Sequence, residues 1–223
     1  MSRDTSPVPA MAMRAAGLSD PARQVHQAVL AAFTATGQPP PAAGLERLIR
    51  AGGGDPDRVR AELTRADLLA FTPGGEIRAA YPFSPAPTPI QVRWNGGPDV
   101  HAMCAIDALG MSAMLGRPVA IIAAEPGTGR AITVTVDAGQ ARWAPRTAVV
   151  FAGDAGDAGC PSADRCCGYI SFFTTGRAAR AWARRHPEIT GTVLRQAGAL
   201  RIGIATFGAL LQPAGVEAAR TGQ

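Results

Sequence analysis

The sequence predicts an α+β fold: an N-terminal winged-helix-like three-helix module, then a C-terminal domain with a mixed or antiparallel sheet and flanking helices. Three observations predict it. Residues 19–68 hold three stretches with helical periodicity, the first two closed by glycines. A Pro-Gly-Gly turn and the proline-rich SPAPTP at 84–89 then mark a boundary. Beyond it, β-type runs separated by loops give way to an amphipathic helical stretch.

Residues 1–18 read as a disordered tail. In SDPARQVHQAVLAAFTATG, Ser19 or Asp20 can cap and Pro21 suits a first helical turn. Val25, Val29, Leu30 and Phe33 share one face, and Gly37 with the prolines at 39–41 ends the helix. AAGLERLIRAGG is a second, short helix. DPDRVRAELTRADLLAF opens on Asp-Pro and turns Val59, Leu63 and Leu68 inward. AFTPGGEIRAAYPF reads as a hairpin around Pro73-Gly74-Gly75, which completes a module over 19–84. In the second domain, 85–216, a helix is expected over His101–Leu115, ended by Gly116 and Pro118. PVAIIAAE, RAITVTVD and RTAVVFA are strand-like, DAGDAGCPSADR is a loop, and CCGYISFFTT returns as an apolar strand. GRAARAWARRHPEI is a helix stopped by Pro187, and LRQAGALRIGIATFGALLQ a terminal helix before a tail at 217–223.

Composition narrows the function. With 47% hydrophobic and 17% charged residues the chain is globular rather than disordered. No apolar run reaches bilayer length and no signal-peptide core opens the chain, so a cytoplasmic location is expected. The formal charge of +5 comes from 22 basic residues, all of them arginine and mostly scattered, which reads as coding bias rather than a basic groove. The presumed recognition helix carries Asp55, Asp57, Glu62 and Asp67 against three arginines, so nucleic-acid binding is not expected. A phosphate loop, a dinucleotide fingerprint and a Ser-His-Asp arrangement are absent from the sequence.

Two cysteine clusters could carry chemistry. In HAMCAIDALG, Cys104 and Asp107 stand at i and i+3, one helical turn apart. Met103, Ile106, Leu109 and Met111 would raise the carboxyl pKa by desolvation, making a proton donor beside a soft ligand. The alternative is a packed thiol and a capping or solvated aspartate. Downstream lie Cys160, Cys166 and Cys167, whose C-x5-C-C spacing is not a zinc pattern but suits soft metals. On a strand, only one of Cys166 and Cys167 can face a given site. His26 and His186 look like surface positions, and His101 could stand behind the site.

Together these stretches resemble the organomercurial (alkylmercury) lyases. HAMCAIDALGMSAMLGR is similar to that family's Cys-Ala-x-Asp helix with its later Leu-x-Gly-Arg. CGYISFF…GRAARAWARRHPEITGTVL resembles its second segment, a cysteine ahead of a Phe-Phe pair and a Trp-containing helix. The resemblance spans about residues 90–212. It implies that Cys104 and Asp107 are catalytic and, with Phe172-Phe173 as anchor, that Cys167 is the second catalytic thiol; Cys166 is the other choice. A further cysteine of known members has no counterpart here, Glu125 lying near its place, and Met103 replaces an aromatic residue. The implied reaction is protonolysis of a carbon–mercury bond, with Hg(II) held by Cys104, Cys167 and Asp107 as product. It calls for lowered thiol pKa values, an apolar pocket, external thiols for turnover and no cofactor. The implied partners are the organomercurial and a thiol or mercuric reductase as Hg(II) acceptor, with the protein a monomer or homodimer. The alternatives are an organomercury or metal sensor using its winged-helix-like module on DNA, and a relative acting on other organometals.

Overall fold

A computed structural model describes residues 11–155 and 162–211. Cys160, the first ten residues and the tail expected at 217–223 lie outside the described residues.

Helical structure begins earlier than the sequence suggests. Within the stretch expected as a tail, α1 (Met11–Ala16) is helical, and Met11 and Leu18 are buried. Arg14 pairs with Asp67 at 3.0 Å, tying this segment down. Three helices follow: α2 (Asp20–Thr36), α3 (Ala42–Ala51) and α4 (Pro56–Arg65). Their starts follow local chemistry. Asp55 accepts from the Arg58 backbone N–H and Pro56 opens α4, while α2 closes on Gly37 at φ 78°. Val25, Val29, Leu30 and Phe33 of α2 are all buried, as their periodicity predicts. His26 is a correction: it is buried on α2 rather than at the surface, because its position falls on the same apolar face.

The expected hairpin is β1 (Leu69–Phe71) with β2 (Ile77–Ala80). It opens an eight-stranded sheet, joined by β3 (Phe83–Ser84), β4 (Ile90–Arg93), β5 (Val100–Ala102), β6 (Val119–Ala124), β7 (Ala131–Asp137) and β8 (Gln140–Ala144), in the order β1-β2-β3-β5-β4-β6-β7-β8. A second sheet, order β10-β9-β11, holds β9 (Val149–Asp154), β10 (Ile170–Phe173) and β11 (Thr190–Leu194). Every recorded strand pair is antiparallel. The first sheet runs across the proline-rich 84–89 stretch. Phe33 of α2 stacks on Phe83 of β3 at 4.9 Å, so the helical module packs directly on the sheet.

At the centre lies α5 (Ala105–Leu115), apolar on nearly every side and buried from Ala105 to Ser112. A helix without a polar face has no stable surface position. It packs between the sheets and α8 (Gln196–Phe207), the expected terminal helix. Gly110 and Gly203 let the two backbones close up. A Cβ on Gly110 would sit 2.5 Å from the Gly203 carbonyl oxygen, and one on Gly203 would sit 2.8 Å from the Gly110 nitrogen. The amphipathic α7 (Gly176–Arg185) is capped by Thr175 and covers the smaller sheet, where Trp182 meets Phe151 and Phe173.

Candidate active site

The helix expected from His101 begins four residues later. His101 lies on β5, and Cys104, in extended backbone at φ −154°, is the N-cap of α5. The register explains the Cys-x-x-Asp spacing. The Asp107 backbone N–H donates to the Cys104 sulfur at 3.4 Å, while the Cys104 backbone N–H faces the Asp107 carboxyl. This is a reciprocal capping arrangement with a thiol in the place of a hydroxyl. It aims both side chains at the same space beyond the helix end. Sequence spacing alone placed them on one helix face; the cap does it instead.

The second thiol comes from a different element. The cysteine pair was expected on a strand, but Cys166 follows the one-turn α6 (Ser162–Arg165) and Cys167 opens a 3-10 turn ending at Tyr169. The strand starts only at Ile170. In this turn Cys167 points inward and Cys166 is half-buried, its sulfur donating to the Ser162 carbonyl at 3.5 Å. The sulfurs of Cys104 and Cys167 and a carboxylate oxygen of Asp107 lie within 4.8 Å of one another. Their residues are 2%, 6% and 5% exposed, and both cysteines are free thiols.

Burial sets the protonation of the site. It pushes Asp107 up to about 8, and the neighbouring Cys104 thiol draws it only part of the way back. One Asp107 oxygen, Oδ2, is buried without a hydrogen-bond partner among the described residues. Burial likewise raises the Cys104 thiol; its hydrogen bond with Cys167 opposes this without overcoming it. Cys167 is raised first by its hydrogen bond to Cys104, then by that with Cys166, then by burial. A lowered thiol pKa was expected and the opposite is found. A helix N-terminus favours a thiolate, but desolvation in a nearly closed pocket outweighs it. The resting site is therefore three neutral acids, each holding its proton near pH 7, which a thiophilic metal must displace.

Other residues noted in the sequence lie further out. His101 is tied through Nδ1 to the Thr88 backbone N–H at 3.1 Å. Glu125 is buried and accepts from the Thr174 backbone N–H and hydroxyl, both at 2.6 Å, and from the Thr128 hydroxyl. Burial raises its carboxyl, yet these hydrogen bonds prevail and hold it below the usual range. It anchors the residue after β10, the strand that follows Cys167. His186 stacks on Trp182 at 4.0 Å. Sequence reasoning passed over Tyr81, one of two tyrosines in the chain. Its buried hydroxyl accepts the Ala163 backbone N–H at 2.7 Å, just ahead of the Cys166-Cys167 pair. Its place inside the expected hairpin stretch gave no sign of this contact.

The surroundings match known proteins. The family model described as alkylmercury lyase matches residues 83–208. An alkylmercury lyase of Streptomyces lividans is 30% identical over 168 residues, covering 75% of this chain and 76% of that protein. One of Staphylococcus epidermidis is 28% identical over 155 residues, covering 69% of each. Among solved structures, the mercury-bound form of MerB2 superposes with a TM-score of 0.66 at 24% identity, over 86% of this chain and 93% of that one, which supports the fold. No helix among the described residues is long and apolar enough to cross a membrane. The matched segment runs from β3 to the end of α8 and so contains both thiols, the carboxyl and the helix that holds them: the chain belongs to the alkylmercury lyase family.

Proposed function

We propose that this protein is an organomercurial lyase whose carbon–mercury protonolysis is carried by Cys104, Cys167 and Asp107. The observation that carries the assignment is the convergence of two buried thiols and one protonated carboxyl within 4.8 Å. Soft sulfur donors suit mercury, and a carboxylic acid poised near neutral pH suits proton delivery to carbon. The organomercurial R–Hg⁺ meets Cys104, whose thiol gives up its proton as the Hg–S bond forms. Cys167 adds the second Hg–S bond, also losing its proton, and raises electron density on mercury. Asp107 hands one proton to the departing carbon as the Hg–C bond breaks. Atoms and charge balance: R–Hg⁺ and two thiols give R–H, a mercury bis-thiolate and one released proton. The Cys167 proton passes to Asp107 as the carboxyl gives up its own, so Asp107 ends as it began and the Cys104 proton is the one released. External thiols, or a mercuric reductase in the cytoplasm, then take up Hg(II).

The capping cycle holds Asp107 beside the first sulfur, so the proton need not cross solvent. The near-complete burial of all three groups keeps water from the metal. Against the sensor alternative, one of the three arginines on α4, Arg60, is engaged by Glu46 at 2.9 Å and Asp57 at 3.8 Å. The test is to incubate purified protein with phenylmercury and excess thiol and quantify benzene. Turnover is expected; stoichiometric mercury binding without benzene would sink the proposal.

A further inference from the structure

Cys167 sits on a short turn with little regular structure of its own, yet its sulfur must meet that of Cys104, 63 positions earlier in the chain. Residues outside the thiol-bearing elements hold it there. The Tyr81-Pro82 corner between β2 and β3 touches both sulfur-bearing segments. The Pro82 carbonyl accepts the backbone N–H of Met103, next to Cys104, at 3.1 Å. The Tyr81 hydroxyl accepts the backbone N–H of Ala163, four residues before Cys167, at 2.7 Å. The residues on either side of Ala163 are held as well. Asp67, in left-handed backbone at φ 51°, accepts from the Ser162 backbone N–H at 3.1 Å and from its hydroxyl. Arg78 grips Asp164 with two hydrogen bonds of 2.6 and 2.8 Å. Three consecutive residues are thus fixed by three residues of the segment that follows α4.

Resting on the lyase reading above, we propose that Tyr81 is a positioning residue for the second thiol, setting the Cys104–Cys167 span through Ala163 with Asp67 and Arg78 as its flanking clamps. Tyr81 is 1% exposed, so its hydroxyl has one place to be. Burial above all, with the Asp67 carboxyl group nearby, keeps the phenol protonated. It therefore acts through its hydrogen bonds and not as an acid. The N-terminal helical module and its hairpin then have a role in the reaction beyond covering the core. They bring a loop that lacks a rigid scaffold into register with a helix cap that has one. Both mercury–sulfur bonds depend on that register, so loosening it should weaken the step that needs both thiols more than initial capture by one.

The test compares wild type with Tyr81→Phe and Arg78→Gln. Three quantities are read: kcat and KM for phenylmercury in excess thiol, Hg(II) affinity in competition with dithiothreitol, and thermal melting by circular dichroism. A misplacement of about 1 Å at a reacting pair costs roughly a hundredfold in rate. Tyr81→Phe is thus expected to lose about 10- to 100-fold in kcat with KM changed less than about threefold, and to bind Hg(II) about tenfold more weakly. Arg78→Gln removes an ion pair of half-exposed side chains, which adds little to stability. It should melt with wild type while losing several-fold in kcat, so it decides the matter if Tyr81→Phe does not fold. Wild-type kcat and Hg(II) affinity in both variants would overturn the proposal, as would equal effects on kcat and KM accompanied by a matching loss of thermal stability. If wild type itself releases no hydrocarbon, the lyase reading fails, and the Hg(II) affinities alone still decide whether Tyr81 positions Cys167.

Discussion

Asp107 is where packing and chemistry pull against each other. A carboxyl at 5% exposure with one unpartnered oxygen is a poor choice for stability, and a good one for an acid that must keep its proton near pH 7. Asp107→Asn keeps the size and the capping geometry but has no acidic proton to give. It is expected to lose at least about a hundredfold in kcat, the scale on which general acids act, while still binding Hg(II) through two thiols. Benzene release and mercury titration check the two halves, and unchanged turnover would remove Asp107 from the reaction. The cysteines differ in the same concrete way. Cys167 faces Cys104 and Asp107, whereas the sulfur of Cys166 donates to the carbonyl of Ser162. Cys167→Ser should therefore abolish turnover, and Cys166→Ser should leave kcat within a few-fold. The reverse result would move the second thiol by one residue. In the sequence only the resemblance, anchored on Phe172-Phe173, separates the two, since strand or turn geometry at the pair cannot be read from its neighbours.

At the scale of elements, the long periodic segments were legible and the short ones were not. α2, α3 and α4 carry prolines and an apolar face within their own windows and start where the sequence places them, but α4 ends at Arg65, short of the expected stretch, because Leu69–Phe71 pair with β2 as a strand. β3, β4 and β5 span two to four residues each and are defined by partners far along the chain, so periodicity has nothing to count. The start of α5 was misread for a related reason. Alternation between His101 and Cys104 is too short to show against the apolar helix that follows, and only the extended backbone of Cys104 reveals the cap. The crossing of α5 and α8 gives this scale its prediction. Gly110 and Gly203 meet backbone to backbone, so a methyl group on either strikes main-chain atoms, and on Gly110 the buried Phe207 side chain as well. Gly110→Ala should cost about 1–3 kcal/mol or more by overpacking. At about 2–4 °C per kcal/mol for a protein of this size, calorimetry should show a melting point several degrees lower. Because α5 carries Cys104 and Asp107 at its N-terminus, kcat should fall with it. A variant as stable as wild type would show that the helices can separate freely.

For the whole molecule, the fold class could be read from the order of patterns, and the site only in part. The Cys104–Asp107 pair is local, but its second thiol and the Tyr81, Asp67 and Arg78 contacts that hold it are joined through the tertiary structure alone. What does integrate over the molecule is the balance of buried protons, and it predicts an unusual stability profile. Two buried groups act with opposite sign near neutrality. His26, 1% exposed, is lowered from 6.5 to about 4 by burial, so folding favours its neutral form and stability is lost as pH falls from 6.5 towards 4. Asp107 is raised from 3.8 to about 8, so its contribution is fully present below 3.8 and is lost as pH rises towards 8. Between about pH 4 and 6.5 the unfolded chain gains one proton at His26 and gives one up at Asp107, and the two effects cancel. From 6.5 to 8 only Asp107 acts, with a limiting slope of about 1.4 kcal/mol per pH unit. Glu46 and Asp164, lowered by Arg60 and Arg78, are much more exposed and act only below about pH 4.5. The raised thiols of Cys104 and Cys167 act only in alkali. Chemical denaturation of the mercury-free protein across pH 4 to 8 should therefore give a plateau followed by a decline. Asp107→Asn should turn that profile around, rising from pH 4 to 6.5 with the His26 term alone and then staying level, and should be the more stable protein at pH 8. A wild-type stability that rises from pH 4 to 6.5 and then stays level would show that Asp107 is ionised in the folded state. The acid proposed to protonate carbon would then lack its proton at the pH where the enzyme must work.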